Sequence, residues 1–386
     1  RKMVLDSSAS WEPVNETTDQ SELLPEIARG VPLIKVLGIG GGGSNAVTRM
    51  YKDKLPVVEY YALNTDAQHL FRCDVGHRIA LGQNLTRGLG SGALPDLGRQ
   101  AAEESRNEIQ QAVAGADMVF LAVGMGGGTG TGAAPVIAQI AKESGALTVA
   151  VVSRPFSFEA STRRKNADDG ISKLKDYVDT LITIPNDRLL ELNRDKESTL
   201  TWEDALKMAD SVLHQGIQAI AEVVTVPGEI NVDFADVKTI LNNAGPAWLA
   251  IGRGKGENRA IEAARQATKS PLLDIAMEGA KRILFVITGG STLTLQEVQE
   301  AARVIEEMSD PEANIIFGTS RDPRLEDEVK ITMVAAAFPV MQENQIMREA
   351  ELQRLLQDIS PEVEMDLDVP SFLRNQPGGR NGGSFR

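Results

Sequence analysis

The strongest constraint in the chain is Gly124-Met125-Gly126-Gly127-Gly128-Thr129-Gly130-Thr131-Gly132, a run in which six of nine residues are glycine. It is preceded by the apolar stretch Asp117-Met118-Val119-Phe120-Leu121-Ala122-Val123, which reads as a short buried strand. It is followed by Ala133 to Glu143, which reads as a helix with Pro135 in its first turn. Glycines let a backbone approach a ligand closely, and a helix N-terminus behind them adds about half a unit of positive charge. A strand, a glycine turn and a helix in this order predict an anion site, suited to phosphate. The turn is not a Walker-type P-loop, because no G-x-x-x-x-G-K-[ST] occurs in the chain and no lysine follows these glycines.

Two further glycine-rich loops follow strand-like segments. Leu33 to Ile39 reads as a strand, and Gly40-Gly41-Gly42-Gly43-Ser44-Asn45-Ala46-Val47 turns into a helix running to about Lys52, the way mononucleotide-binding folds begin. Asn45 replaces the third glycine of a dinucleotide fingerprint, and its amide can hydrogen-bond a base or a phosphate. The second strand, Glu59 to Leu63, ends in Asn64-Thr65-Asp66-Ala67-Gln68. These polar residues either line the ligand edge of a parallel sheet or cap a helix through Thr65 or Asp66. Thr86 to Pro95 is the other glycine loop and enters a helix expected over Asp96 to Ala114. Three such loops predict convergence on one sheet edge, where buried N–H groups need an anion.

With 386 residues, the chain is long enough for two domains, and 42% hydrophobic but 4% aromatic content suits an α/β protein. The net charge of −14 argues against nucleic-acid partners and leaves no broad basic face for an acidic membrane. The single cysteine, Cys73, cannot pair internally and reads as a buried small residue in a cytoplasmic protein. No apolar run approaches the ~20 residues of a membrane span, and the first residues do not read as a signal peptide, so no direct membrane insertion is expected.

Residues 1–30 are polar and read as a disordered tail. Leu147 to Val152 reads as a buried strand, after which Glu159 and Arg163 have the i,i+4 spacing of a surface salt bridge. Thr180 to Ile184 reads as a strand ending near Asn186. Leu206, Ala209, Leu213, Gly216, Ile220 and Val224 fall at helical spacing in a long buried helix that Pro227-Gly228 ends. Beyond it, Asn231, Asp233 and Asp236 flank Phe234 where another helix begins near Ala235, and on position alone Asp233 or Asp236 reads as an N-cap. Strands at Trp248–Gly252, Arg282–Thr288, Ala313–Gly318 and Lys330–Ala336 alternate with helices at Asn258–Lys269 and Thr294–Met308, an α+β layer. Gln342 to Gln357 reads as a solvated, partly helical linker, and Leu367 to Arg374 as a compact docking peptide before a glycine-rich tail.

The run GGGTGTG and the string NVDFADV resemble the tubulin and FtsZ superfamily of GTPases, and the similarity to the bacterial FtsZ family covers roughly Leu33 to Phe338 and the tail peptide. The resemblance implies a Rossmann-like, parallel-sheet GTP-binding domain over 31–201, a central helix over 202–228 and a smaller α+β GTPase-activating domain over 229–338. A linker over 339–366, a partner-docking peptide over 367–375 and a tail over 376–386 complete it. It implies GTP and GDP as ligands with Mg2+ beside them. Gly41, Gly42 and Asn45 would hold phosphate and base, Asn64 and Asp66 belong to the second nucleotide loop, and Gly92 and Ala93 face the γ-phosphate. Gly126, Gly127, Gly128, Thr129, Gly130 and Thr131 would wrap the phosphates, Glu159 and Arg163 would contact ribose and phosphate, and Asn186 and Asp210 would contact guanine. Asn231, Asp233 and Asp236 would polarise the attacking water on the next subunit of a head-to-tail filament. Leu367, Asp368, Val369, Pro370, Phe372 and Leu373 would dock membrane adaptors of the FtsA or SepF type, at the division site on the inner face of the membrane.

The chain departs from that family in having Leu206 where an aromatic usually stacks on guanine, Leu94 for the usual Asn and Ser91 for the common Ala. Ala250 and Ala336-Ala337 interrupt small or Thr-Gly positions. Leu206 and Leu94 motivate an alternative, a GTP-binding structural paralogue that copolymerises with little turnover. An NAD-dependent oxidoreductase would explain only the first glycine loop.

Overall fold

Period-2 burial organises the molecule. In the computed structural model, which describes residues 31–55, 57–191, 201–225, 232–270 and 279–338, Ile34, Val36, Tyr60, Phe120, Val149 and Ile182 point to one face of a sheet. Leu37, Leu63, Leu121, Ala150 and Leu181 point to the other. A strand whose alternate residues are buried on both sides belongs to a parallel sheet covered by helices on both faces.

The elements run β1 (Ile34–Ile39), α1 (Gly40–Met50), β2 (Val58–Asn64), α2 (Ala67–Arg72), β3 (His77–Ala80), α3 (Gln83–Thr86), α4 (Pro95–Glu104), α5 (Arg106–Val113), β4 (Met118–Gly124), α6 (Thr129–Glu143), β5 (Leu147–Arg154), α7 (Ser161–Leu174), β6 (Thr180–Pro185) and α8 (Asn186–Glu191). Then come α9 (Trp202–Thr225), α10 (Phe234–Leu241), β7 (Gly245–Lys255), α11 (Arg259–Thr268), β8 (Arg282–Gly289), α12 (Leu295–Glu307), β9 (Asn314–Arg321) and β10 (Glu328–Ala336). Strand order is β3-β2-β1-β4-β5-β6-β7-β10-β8-β9. The first six strands are parallel, in register Val36 with Tyr60 and with Phe120. β7 joins β6 in parallel over Thr180–Ile182, and β10 then pairs antiparallel with both β7 and β8.

The order 3-2-1-4-5-6 is that of a doubly wound nucleotide-binding sheet, whose ligand crevice opens between β1 and β4, outside their carboxyl ends. Both strands end there in a glycine run. α1 and α9 cover one face, while α4, α5, α6 and α7 cover the other. α9 also packs on β8, β9 and β10, so its core side, Leu213, Ile217, Ile220 and Ala221, is continuous with Leu249, Leu284 and Val334 of the second half. The described residues up to Ala337 form one unit.

Several boundaries differ from expectation. The helix expected over Asp96 to Ala114 is two helices broken at Ser105, whose hydroxyl accepts the N–H of Gly82. α6 begins at Thr129 rather than Ala133, so Pro135 lies in its second turn. Glycine costs about 1 kcal/mol in a helix interior, but a Cβ at Gly132 would run into the Pro95 carbonyl, so the close α4–α6 contact demands it. α1 likewise starts at Gly40, at the end of β1. Leu206, expected on the buried stripe of α9, is 38% exposed. Cys73 is buried as expected, its thiol donating to the His69 carbonyl. The N-terminal tail, Asn231, the linker and the 367–375 peptide lie outside the described residues.

Candidate nucleotide site

Helix starts in this protein fall into two kinds. Thr294 and Glu297 form a reciprocal capping box at α12, and the Asp66 carboxylate accepts the His69 N–H at α2. By contrast, α1 and α6, which leave β1 and β4 at the crevice, begin with no side-chain cap and no acidic residue in the first turn, as α3 and α7 also do. The first N–H groups of a helix have no intrahelical partner and carry the positive end of the dipole. Two such ends, side by side at the switch point, form an anion cradle.

The two glycine runs touch backbone to backbone, since a Cβ at Gly40 would come 2.7 Å from the Gly130 nitrogen. The other loops close around them. Ala67 N–H donates to the Gly88 carbonyl and Gly90 N–H to the Thr65 carbonyl, which brings the loop after β2 onto the loop before α4. Beneath the phosphate cradle the hydroxyls of Thr65 and Thr129 are 2.6 Å apart, and those of Ser91 and Thr129 are 2.9 Å apart. All three are buried. The Thr131 hydroxyl accepts the Gly126 N–H, fixing the bend of the signature loop, and the Asn166 amide donates to the Ala93 carbonyl. On the mouth side, a Cβ at Gly41, Gly92 or Gly127 would meet nothing within 4 Å, so these three positions open onto the space above the cradle.

At the other end of the crevice, His69 connects the first two loops. It accepts from the Asn64 amide at Nδ1 and donates from Nε2 to the Asn45 carbonyl oxygen, 3.1 and 3.0 Å, which fixes the tautomer this network needs. One turn beyond Asn45, Arg49 forms an ion pair at 3.2 Å with Asp210 of α9. Burial pushes the Asp210 carboxyl up to about 6, with Arg49 opposing the shift. Asn186, at the end of β6, is buried and its side-chain carbonyl oxygen has no partner among the described residues. An acceptor left bare in the interior costs about 1–3 kcal/mol, so its natural complement is a ligand N–H.

Glu159 and Arg163 do form an ion pair, but not as the helical pair their spacing suggests. Glu159 lies in a 3-10 turn, Ala160 breaks the helical path at φ 87°, and α7 begins only at Ser161. The other Glu159 oxygen accepts the Phe156 N–H at 2.9 Å, leaving the Arg163 side chain half exposed beside Gly126. Asp66 serves as a helix cap, one of the two readings its position allowed. Asp233 stands at the N-cap position of α10, yet its carboxylate accepts no capping hydrogen bond.

The structure thus brings together Gly41, Gly42, Asn45, Asn64, Asp66, Gly92, Ala93, the 126–131 loop, Glu159 and Arg163, with Asp210 joined to α1 through Arg49 and Asn186 next after the carboxyl end of β6. Asp233 and Asp236 lie elsewhere. From Asp210, α9 runs fifteen residues to Thr225, about 22 Å at 1.5 Å per residue. At the end of α10 the Leu241 carbonyl accepts the hydroxyl of Thr180, the first residue of β6. The end of α10 therefore lies at the amino end of β6, the sheet edge opposite the glycine loops, with Asp233 and Asp236 at the other end of the same eight-residue helix, which is about 12 Å long. His69 and Arg49 are site residues that sequence reasoning missed. For Arg49, the available signal was its place one helical turn after Asn45.

Two uncapped glycine loops at the switch point, with base-end amides and a carboxylate, define a nucleotide-binding protein. Residues 33–194 match the family described as the tubulin/FtsZ GTPase domain, and residues 245–339 match the FtsZ C-terminal domain. The chain belongs to the FtsZ family: it binds guanine nucleotide and is a cell-division GTPase whose subunits form protofilaments. A structure described as an empty FtsZ dimer from M. jannaschii is 43% identical, with 83% of this chain and 92% of that chain covered and a TM-score of 0.78. A tryptophan-to-tyrosine mutant of the M. jannaschii protein gives the same identity and TM-score, over 83% of this chain and 95% of that one. GDP-bound CetZ1 from Haloferax volcanii shares the fold at 22% identity and a TM-score of 0.69, over 82% of this chain and 99% of its own.

Proposed function

We propose that hydrolysis takes place between subunits, with the acidic start of α10 on one copy completing the nucleotide site of the next. The observation that carries this reading is the separation just described. Asp233 and Asp236 begin the short helix whose end packs at the amino end of β6, away from the glycine loops, and on this reading they serve the phosphates of another copy. Head-to-tail stacking places one edge on the other. The empty M. jannaschii structure described as a dimer supports self-association of this kind.

In this reading, the first-turn N–H groups of α1 and α6 hold the phosphates, with Gly41, Gly42 and the 126–131 loop. Gly92 and Ala93 lie toward the terminal phosphate, and Arg163, oriented by Glu159, reaches ribose and phosphate. Asn186 and Asp210 read guanine: the bare Asn186 oxygen accepts a base N–H, and the Asp210 carboxylate accepts two. Mg2+ would arrive with the phosphates, because the glycine loops offer N–H donors and no carboxylate. Phosphoryl transfer needs an oriented water and neutralised charge more than a strong nucleophile. The uncapped Asp233, with Asp236 and Asn231, supplies that orientation only after a partner docks.

The same proposal extends to the rest of the chain. Residues 31–201, 202–228 and 229–338 act as nucleotide domain, connecting helix and activating domain. The peptide Leu367–Leu373 recruits FtsA- or SepF-like adaptors, which bring the filament to the division site on the inner membrane face. No helix among the described residues is long and apolar enough to cross a membrane.

The test is GTP turnover per subunit against protein concentration, for the parent chain and Asp236→Ala. A threshold concentration, with turnover lost in the variant while GTP still binds, is the expected outcome. Turnover independent of concentration would overturn the shared site. The exposure of Leu206 at the guanine end favours one second reading, a structural paralogue, which predicts bound GTP with near-zero turnover at every concentration.

A further inference from the structure

Asp210 faces a conflict. To accept the N1–H and N2–H groups of guanine it must be an ionised carboxylate with both oxygens as acceptors, since a protonated carboxyl presents an O–H that opposes one of them. Yet its side chain is only 14% exposed, in a setting that disfavours charge. Among the described residues, the one compensating group within reach is Arg49, 3.2 Å away, on the same helix as Asn45 and one turn beyond it.

Resting on the reading of Asp210 as the guanine contact, we infer that Arg49 is a positioning and specificity residue. Its guanidinium holds one Asp210 oxygen in place and keeps the carboxylate ionised, so that guanine is accepted at neutral pH. Arg49 acts through Asp210 rather than by touching the nucleotide. Geometry favours it over the neighbouring charges. α1 presents Arg49, and the 3-10 turn after it presents Asp53, which acts on His214 one turn further along α9. From β9, β10 and the turn between them, Asp322, Arg324 and Lys330 act on Glu222 or His214. On α8, Asp187 accepts the Ser157 N–H and Arg188 has an interaction of its own; on β5, Arg154 pairs with Asp168; on β8, Arg282 donates to the Asn242 carbonyl. On α9 itself, Glu203 and Lys207 pair with each other. Among the described residues, Arg49 is the charged group that acts on Asp210.

The sign follows directly. With Arg49 present, Asp210 loses its proton near pH 6, so guanine binding is supported above that pH and weakens below it. Without Arg49 the carboxyl titrates higher, by about one unit for a partly exposed partner, and the weakening reaches neutral pH.

The experiment is GDP affinity by calorimetric titration from about pH 5.5 to 8.5, spanning the carboxyl midpoint, for the parent chain, Arg49→Gln, Arg49→Lys and Asp210→Asn. ADP and xanthosine diphosphate serve as comparison ligands. Expected is an acid limb shifted upward in Arg49→Gln, with about fivefold weaker GDP binding near pH 6 than the parent, approaching tenfold only well below it, from a one-unit shift. Recovery of the parent profile is expected in Arg49→Lys. Phosphate titration of GDP is common to all variants and cancels in the comparison. A parent-like profile in Arg49→Gln, or tighter binding at every pH, would overturn the role of Arg49. If, in addition, Asp210→Asn exchanges guanine for xanthine preference, the base contact itself stands. If Asp210→Asn leaves that preference untouched, the reading of Asp210 fails independently of Arg49.

Discussion

Ala160 has φ 87° and ψ 145°, a region that residues with a Cβ enter only when their surroundings hold them there. The surroundings are on either side: Glu159 is tied to the Phe156 N–H and to Arg163, and α7 must begin at Ser161 to put Arg163 against the signature loop. Such a conformation costs about 1–3 kcal/mol, of which glycine would recover most while giving back under 1 kcal/mol in unfolded-chain entropy. Ala160→Gly is therefore expected to raise stability by about 1 kcal/mol net. Urea denaturation of the nucleotide-free protein checks it, and an unchanged or lower midpoint would mean that the loop stores no strain. The same residue shows how a functional pair can look ordinary in sequence: Glu159 and Arg163 have helical spacing without sharing a helix.

At the scale of elements, α9 is the helix on which both halves of the sheet depend. Its outer turns carry Glu222, whose carboxyl burial pushes up, opposite Lys330 of β10, whose ammonium burial pushes down. Glu222 also accepts from Gln218 and from Ser320 of β9. Each charge is tolerated because the other is near, so Glu222→Gln should leave Lys330 with Asp322 as its remaining favourable charge, beside Arg253 and Arg324. A double-mutant cycle of Glu222→Gln with Lys330→Met should show coupling of about 0.5–3 kcal/mol, the double variant losing less than the sum. Additive losses in urea denaturation would show that the two charges hold α9 independently.

Much of this architecture was legible because its causes are local. Glycine runs after β1 and β4, the alternation of buried residues and the helical spacing along α9 are properties of neighbouring residues. What stayed hidden depends on contacts between distant segments. Nothing near Ser105 marks a helix break, and the partner of its hydroxyl there, the Gly82 N–H, lies far away in the chain. The glycines of α6 read as loop, because the close approach of Pro95 that calls for glycine at 132 comes from a distant segment. His69 and Arg49 look like surface residues until Asn64 and Asp210 arrive beside them. Asp233 read as a cap, and the structure shows a carboxylate at the cap position with no capping bond.

For the whole molecule, the separation of glycine loops from acidic helix start makes complementation the informative measurement. Asp236→Ala keeps the nucleotide loops and loses the acidic group, whereas Asp210→Asn keeps the acidic group and loses its grip on guanine. Each alone should hydrolyse little GTP, and an equimolar mixture, in which one joint in four pairs an intact pocket with an intact acidic face, should recover up to about a quarter of parental turnover. A mixture no more active than its components would mean that one chain must carry both functions.

Under the proposed shared site, the opposed placement also sets a rule of counting. A row of n subunits has n nucleotide pockets and n acidic faces but only n − 1 joints, so one pocket is always left without its partner, at one end and never the other. The smallest working enzyme is a pair, and activity per chain climbs steeply from two subunits to a few before levelling. A row built this way has a direction written into its chemistry, with fresh nucleotide persisting at the end where the last pocket faces only water.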